Sequence, residues 1–144
     1  METTEKPRVV LDTNIVLSAL SPKLPYRHIL RSAIRGEFEW FVTTEILLEY
    51  EEKITEFFGE EIANTFLEAL LISRHTHRVE VFYRFNILND LDDNKFLDCA
   101  FAANAHFIVS EDKVFAGLAQ LAFPKMTRIH LAGFSTLLEQ AAQP

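Results

Sequence analysis

The sequence predicts an α/β domain built on short, mainly parallel strands. Short β-branched and apolar runs alternate with segments in which apolar residues recur at helical spacing. The strands are separated by helices of about ten residues or more, a spacing typical of parallel βαβ units. The 144 residues contain no repeat of fixed period and no linker-like stretch, which favours a single domain over residues 1–144.

In the first half of the chain, a few residues mark the ends of the elements. Pro22 stops a short helix, Gly36 closes the next one in the usual C-terminal manner, and Gly59 separates two longer helices. Thr43 or Thr44 is a suitable cap for the helix that ends at Gly59. The predicted elements are a strand at 9–11, helices at 15–20 and 26–35, a strand at 39–42, a helix from Thr44 to Gly59 and a helix at 60–73.

In the second half, residues 79–83 alternate only weakly, so a strand and an extended connector both stay open. Asp92 or Asp93 is expected to cap the next helix. The run Phe107-Ile108-Val109 has the composition of a buried strand. The predicted elements are a helix at 94–103, a strand at 107–109, a helix at 114–121, a strand at 127–131 and a helix at 134–140.

Composition excludes several classes of protein. Hydrophobic residues make up 49% of the chain, with only four Gly and five Pro, so it is not a low-complexity sequence. No run approaches the ~20 apolar residues of a membrane helix, and the polar N-terminus is unlike a signal peptide. We therefore expect a soluble, cytoplasmic protein. The single cysteine, Cys99, lies in an apolar helical pattern and is expected to be a buried small hydrophobe.

The net charge of −7 is a weak argument against a nucleic-acid partner. Part of that charge would belong to a metal site and would be neutralised by bound cations. Two basic clusters are present, although a solvated helix face and a basic turn explain them more simply. Their members are Arg27, His28, Arg31 and Arg35, and Arg74, His75, His77 and Arg78.

The most informative feature is a set of acids beside apolar segments. Asp12 and Asp112 each follow a buried strand, and the carboxyl ends of parallel strands form the crevice where ligands bind. Glu49 lies near the apolar stripe of its helix, and the pair Asp92-Asp93 precedes another helix. Thr13, Asn14 and Ser110 are short polar residues suited to hold these acids in place. Asp98 is either a fifth acid of the set or a plain surface residue.

Clustered carboxylates repel one another unless a cation intervenes. Mg²⁺ or Mn²⁺ supplies that charge and accepts oxygen ligands. Such an ion also assists hydrolysis of a phosphodiester bond. The acids therefore predict a metal-dependent site.

Four motifs together resemble the PIN domain, in particular the branch of VapC-like toxin components of toxin–antitoxin systems. The motifs are Val10-Leu11-Asp12-Thr13-Asn14, Glu49-Tyr50, residues 92–100, and Ile108-Val109-Ser110-Glu111-Asp112. The resemblance extends over about residues 8–140. It implies a three-layer α/β/α sandwich and an endoribonuclease that requires Mg²⁺ or Mn²⁺. It also implies an antitoxin partner and a homodimer.

Matched residue by residue, the resemblance places the family's catalytic and metal-binding acids on Asp12, Glu49, Asp93 and Asp112. Asp92 replaces Asp93 if the register slips by one residue, and Asp98 stands where this branch often has another acid. The match also places polar supporting residues on Asn14 and Ser110. Asp93 is the candidate for orienting the attacking water, and no Lys or His stands out as a general acid.

Three other functions stay open. A phosphatase of the haloacid dehalogenase type also starts with a strand ending in Asp, but it needs a second Asp where this chain has Asn14. A PIN-like binding or scaffold module without catalysis is the stronger rival. A nuclease of RNA processing or repair, without a toxin role, is the third.

Overall fold

The structure is a computed structural model, and it describes residues 5–142. The helices are α1 Thr13–Leu20, α2 Arg27–Ile34, α3 Thr44–Phe58, α4 Glu60–Ile72, α5 Asn94–Ala102 and α6 Leu131–Ala142. The strands are β1 Arg8–Leu11, β2 Glu39–Val42, β3 Thr76–Arg78, β4 Phe107–Val109 and β5 Thr127–Ile129. Two 3₁₀ helices, Leu91–Asp93 and Lys113–Gln120, precede α5 and β5. Helices cover both faces of the sheet, which confirms the predicted α/β/α sandwich.

The described strands form one parallel sheet in the order β3-β2-β1-β4-β5. The chain starts at the centre of the sheet, runs outward through β2 and β3, and then returns to pair β4 with the other side of β1. The connections after β1 and β4 therefore diverge toward opposite edges. In open α/β sheets, this switch point is where ligands bind.

The core lies around β1, whose residues Val9, Val10 and Leu11 are fully buried. A hydrogen-bonded pair of aromatic side chains fixes α3 to the sheet. The Trp40 indole N–H donates to the Tyr50 hydroxyl at 3.3 Å, and that hydroxyl donates to the Leu11 carbonyl at 2.5 Å. Because Tyr50 follows Glu49 in sequence, this contact also fixes the position of Glu49 beside the end of β1.

The predicted elements agree well with the structure, apart from some local differences. Strands β2 and β4 have the predicted bounds, and Gly36 and Gly59 adopt positive φ angles of 70° and 97° at the predicted helix ends. The segment 79–83 is a connector, because the third strand of the chain lies just before it at Thr76–Arg78. The predicted helix at 114–121 is a 3₁₀ helix, Lys113–Gln120.

Helical spacing predicts that Phe57 on α3 and Ile62 on α4 face the core, and both are exposed. The side chain of Phe57 is 63% exposed, and Phe58 packs against the core in its place. On α4, Ala63 is buried next to the exposed Ile62, so the buried face is rotated from the predicted one. None of the helices in the range 5–142 combines the length and apolarity that a membrane crossing demands.

Candidate active site

Asp12 lies at the C-terminal end of β1, directly at the switch point. It occupies the N-cap position of α1, but its side chain makes no capping hydrogen bond. Its carboxylate accepts instead from the Ser110 hydroxyl at 2.7 Å, at the end of the neighbouring strand β4. Burial raises the pKa of Asp12, and the charges of Glu49 and Asp112 raise it further, against the lowering effect of Ser110. Helix capping therefore does not account for the position of the Asp12 side chain.

Ser110 also positions the second strand-end acid. It is fully buried, and its hydroxyl accepts from the Asp112 backbone N–H at 2.9 Å. One carboxylate oxygen of Asp112 caps the following 3₁₀ helix by accepting from the Val114 N–H at 3.0 Å. One hydroxyl thus contacts both the Asp12 carboxylate and the Asp112 backbone, as predicted for a short polar residue at this place.

Glu49 reaches the crevice from α3. The first turn of α3 is capped by the Thr43 side chain, which accepts from the Ile46 N–H at 3.2 Å. The Glu49 side chain is 18% exposed. One of its oxygens accepts from the Thr13 hydroxyl and the other contacts the Lys95 ammonium at 2.8 Å. Thr13 is therefore a supporting residue, as predicted, although it supports Glu49 and not the neighbouring Asp12.

Asp93 is the fourth acid of the crevice. It stands at the N-cap position of α5 without a side-chain capping bond. Burial, together with the charges of Asp90, Asp12, Asp112 and Glu49, raises the pKa of Asp93 to about 7. Asp93 therefore feels the charges of the other three acids predicted from sequence.

Asp92 points elsewhere. Its side chain is 82% exposed and contacts Lys95 at 3.2 Å. Asp93 takes the predicted N-cap position of α5 but makes no side-chain capping bond, and Asp90 caps the preceding 3₁₀ helix by accepting from the Asp92 N–H at 3.0 Å. The arrangement favours Asp93 over Asp92 as the acid that faces Asp12.

Asp98 and Asn14 lie outside this group. Asp98 is buried, and its carboxylate accepts from the Phe85 backbone N–H at 3.0 Å, so it anchors the connector that follows β3. Burial raises the pKa of Asp98, and the other influences come from Phe85, Arg84 and Glu45, none of them in the crevice. The Asn14 side chain is exposed on the first turn of α1, and within residues 5–142 no hydrogen bond joins it to an acid.

The four acids form a suitable donor set for a hard cation, but they are not arranged as a finished metal site. Carboxylate oxygens are the ligands that Mg²⁺ and Mn²⁺ prefer. Among residues 5–142, no group of three or more acids, histidines or cysteines is gathered closely enough to hold an ion. Glu49 in particular is occupied by Thr13 and Lys95. The donor set thus fits such an ion in its chemistry, while the side chains do not surround one point in this structure.

Two residues of the site were missed from the sequence. Lys95 lies in the crevice with its side chain only 10% exposed, and Asp90 adds the nearest charge to Asp93. The bond to Glu49 and the contacts with Asp92 raise the pKa of the Lys95 ammonium, although burial acts in the opposite direction. The sequence did contain a clue to Lys95: it is a cation in the first turn of a helix that two acids, Asp92 and Asp93, precede. The buried Cys99 on the same helix behaves as predicted, since burial raises its pKa to about 12.

A separate apolar groove of about 740 Å³ lies between α2, α4 and the β2–β3 side of the sheet. None of the four acids lines it. Three large side chains on its wall are strongly exposed: Ile34 at 76%, Ile62 at 44% and Ile72 at 81%. This groove is therefore distinct from the acidic crevice.

A parallel α/β/α sandwich with coupled carboxylates at its switch point is the architecture of a nuclease of the PIN type. The PIN domain family matches the chain over residues 8–114, which is most of its length, and the chain belongs to that family. Among curated proteins, no sequence matches the chain.

Solved structures share the fold at low sequence identity. The VapBC2 complex from Rickettsia felis, bound to a DNA fragment from its promoter, is 16% identical with a TM-score of 0.59, covering 85% of this chain and 98% of that one. The PIN domain endonuclease Utp24 is 15% identical with a TM-score of 0.51, covering 85% and 84%. The PIN domain of T. brucei RRP44 is 13% identical with a TM-score of 0.53, covering 94% and 82%.

Proposed function

We propose that this PIN domain protein is an endoribonuclease that depends on Mg²⁺ or Mn²⁺. Membership of a family of nucleases supports the reaction class. The observation that carries the proposal is the arrangement at the C-terminal ends of β1 and β4, where one Ser110 hydroxyl donates to the Asp12 carboxylate and accepts from the Asp112 backbone N–H. The charges of neighbouring acids, Glu49 among them, raise the pKa of both Asp12 and Asp93, which supports one acidic site at the ligand-binding edge of the sheet.

The proposed roles follow from the contacts of each residue. Asp12, held by Ser110, and Asp112 present carboxylates from the two central strands, and Glu49 presents a third from α3. A divalent cation bound there supplies positive charge for the phosphate and the leaving oxygen. Asp93 is suited to orient the attacking water, because it stands at the start of α5 without a side-chain capping bond and feels the charges of the other three acids, which raise its pKa.

The test is cleavage of a structured RNA by the purified protein in Mn²⁺, in Mg²⁺ and in EDTA. Asp12→Asn and Asp93→Asn, purified identically, reveal any contaminating nuclease. Both should lose at least 100-fold in rate, the usual scale for removing a general base or an electrostatic stabiliser. Asp92→Asn is the matched control and should keep most of the activity, because its side chain is largely exposed. A single-stranded DNA substrate in parallel tests the preference for RNA.

Two further parts of the proposal concern the biological role. We propose that the protein is the toxin of a toxin–antitoxin pair in the cytoplasm, supported by the sequence motifs that resemble VapC-like toxins. The exposed apolar groove between α2 and α4 is a suitable surface for a protein partner. Co-expression with the neighbouring reading frame should yield a stable complex without RNA cleavage. The homodimer implied by the resemblance is measured by sedimentation of the protein alone.

The main alternatives give different results in these experiments. A binding or scaffold module would leave every RNA intact in all metals, with wild type and variants alike. A nuclease of RNA processing would cut RNA but would neither arrest growth on expression nor be inhibited by a neighbouring gene product. The likeness to Utp24 and RRP44 is a likeness of fold and does not favour this second alternative.

A further inference from the structure

Lys95 is an unusual cation in an acidic crevice. Its side chain is only 10% exposed, whereas lysines in proteins usually keep their ammonium groups in water. The ammonium lies 2.8 Å from a Glu49 oxygen, 2.8 Å from the Asp92 carbonyl and 3.2 Å from the Asp92 carboxylate. It also lies 5.4 Å from the centre of the Phe96 ring. These contacts hold the lysine at one defined place in the site.

The ion pair changes what Glu49 offers to a metal. One Glu49 oxygen accepts from the Thr13 hydroxyl and the other contacts Lys95, so both oxygens are engaged. Within the part of the chain that the structure describes, no other basic side chain forms an ion pair with Asp12, Glu49, Asp93 or Asp112. Lys95 is thus the positive charge that balances Glu49 in the absence of a divalent ion.

We propose that Lys95 is a built-in counter-ion that competes with the divalent cation for Glu49 and so sets the affinity of the site for metal. The inference rests on the proposed function, since it takes Glu49 as a metal ligand. When a metal binds, Glu49 releases the ammonium and offers an oxygen, and Lys95 moves toward solvent on its flexible stem. The ion pair protects the metal-free fold from the repulsion of the acids. Because a metal ion must break this pair in order to bind Glu49, the pair lowers the affinity of the site for metal.

The experiment measures Mn²⁺ binding without nucleic acid, by calorimetry and by the electron paramagnetic resonance signal of free Mn²⁺. Lys95→Met removes the competing charge and should tighten Mn²⁺ binding about five- to tenfold. The same variant should melt several degrees lower than wild type without metal, because Glu49 then lacks its counter-ion. The metal-induced rise in melting temperature should therefore be larger in Lys95→Met than in wild type.

Two controls separate this effect from a general change of charge. Lys53→Met removes a lysine from α3 whose side chain is 42% exposed and which pairs only with Glu56 at 3.5 Å. Lys95→Arg keeps the positive charge in the crevice. Both should bind Mn²⁺ within about twofold of wild type. A nitrogen NMR signal of the Lys95 ammonium in wild type, protected without metal and lost on adding Mg²⁺, tests the same displacement without a substitution.

The results distinguish the inference from the function on which it rests. Tighter binding by Lys95→Met alone supports the counter-ion role. Equal or weaker binding by Lys95→Met, with wild type binding Mn²⁺ normally, overturns the role of Lys95 and leaves the metal site intact. If neither protein binds Mn²⁺, the metal-dependent function itself fails, and the role of Lys95 fails with it.

Discussion

Asp93→Asn should make the metal-free protein more stable at alkaline pH, although the residue is proposed to be catalytic. The pKa of Asp93 is raised from its ordinary value of 3.8 to about 7 by burial and by neighbouring acids. The folded protein therefore binds a proton more tightly than the unfolded chain does. Because the folded state holds more protons between these two pKa values, stability falls as the pH rises from about 4 to about 7.

The size of this effect follows from the same shift. A pKa raised from 3.8 to about 7 corresponds to at most about 4 kcal/mol of lost stability above pH 7. Asp93 is only partly buried, and screening by solvent reduces the figure to about 1–2 kcal/mol. Asparagine stays neutral at every pH and avoids this loss. For a chain of this size, the gain corresponds to roughly 3–6 °C in melting temperature.

The assay is urea unfolding of wild type and Asp93→Asn in EDTA at pH 5 and pH 8. The stability gain of the variant should be smaller at pH 5 than at pH 8, where it should reach about 1–2 kcal/mol, because the loss in wild type accumulates between about pH 4 and pH 7. Glu52→Gln on the exposed side of α3 is the control and should follow wild type at both pH values. An Asp93→Asn variant that is no more stable than wild type at pH 8 would refute the argument that the acids repel one another. Adding Mn²⁺ should reverse the order, because only wild type keeps the complete set of acids.

Three further substitutions test individual contacts, two at the site and one at the end of α2. Ser110→Ala removes the 2.7 Å hydrogen bond to the buried Asp12 and should weaken Mn²⁺ binding severalfold by calorimetry; unchanged binding would show that Asp12 is positioned without it. Tyr50→Phe leaves the Leu11 carbonyl and the Trp40 indole N–H without their partner. Urea unfolding should show that the free energy of unfolding falls by about 1–3 kcal/mol. A smaller loss would mean that water replaces the hydroxyl. Gly36→Ala places a side chain at a φ of +70°, against the His75 imidazole, and should lower stability by at least about 1 kcal/mol. His75→Ala in the same chain should recover part of that loss, and no recovery would assign all of it to the backbone.

The sequence was most informative where local chemistry decides structure. Asp12 and Asp112 were identifiable because each follows a short apolar run, and both strands form with those residues at their C-terminal ends. Gly36 and Gly59 mark helix ends because few other residues tolerate positive φ angles. These features depend on a few neighbouring residues and need no knowledge of the tertiary fold.

The remaining features depend on contacts between distant parts of the chain. The capping pattern before α5 did not reveal that Asp90 caps and that Asp93 faces the crevice, because this depends on how α5 packs beside β1. Asp98 matched the family pattern, yet its carboxylate holds the backbone of Phe85, 13 residues earlier. Lys95 was overlooked because its role depends on a contact with Glu49, a residue of another helix.

The side chains on α4 show a similar limit. Periodicity predicts that one face of a helix is buried, but it does not say which partner covers that face. Ile62 and Ile72 satisfy the apolar pattern and remain exposed along the groove beside α2. Their exposure is consistent with a surface that a protein partner covers.

The most direct test of the account is a crystal of the protein grown or soaked in Mn²⁺ and measured for anomalous scattering from the metal. We predict a Mn²⁺ peak at the C-terminal ends of β1 and β4, in contact with Asp12 and Asp93. Glu49 should then be released from Lys95. A peak coordinated by Asp92 or Asp98 would place the metal elsewhere than proposed. Bound Mn²⁺ remote from all four acids, or an empty crevice at saturating Mn²⁺, would contradict the central claim of a metal-dependent nuclease.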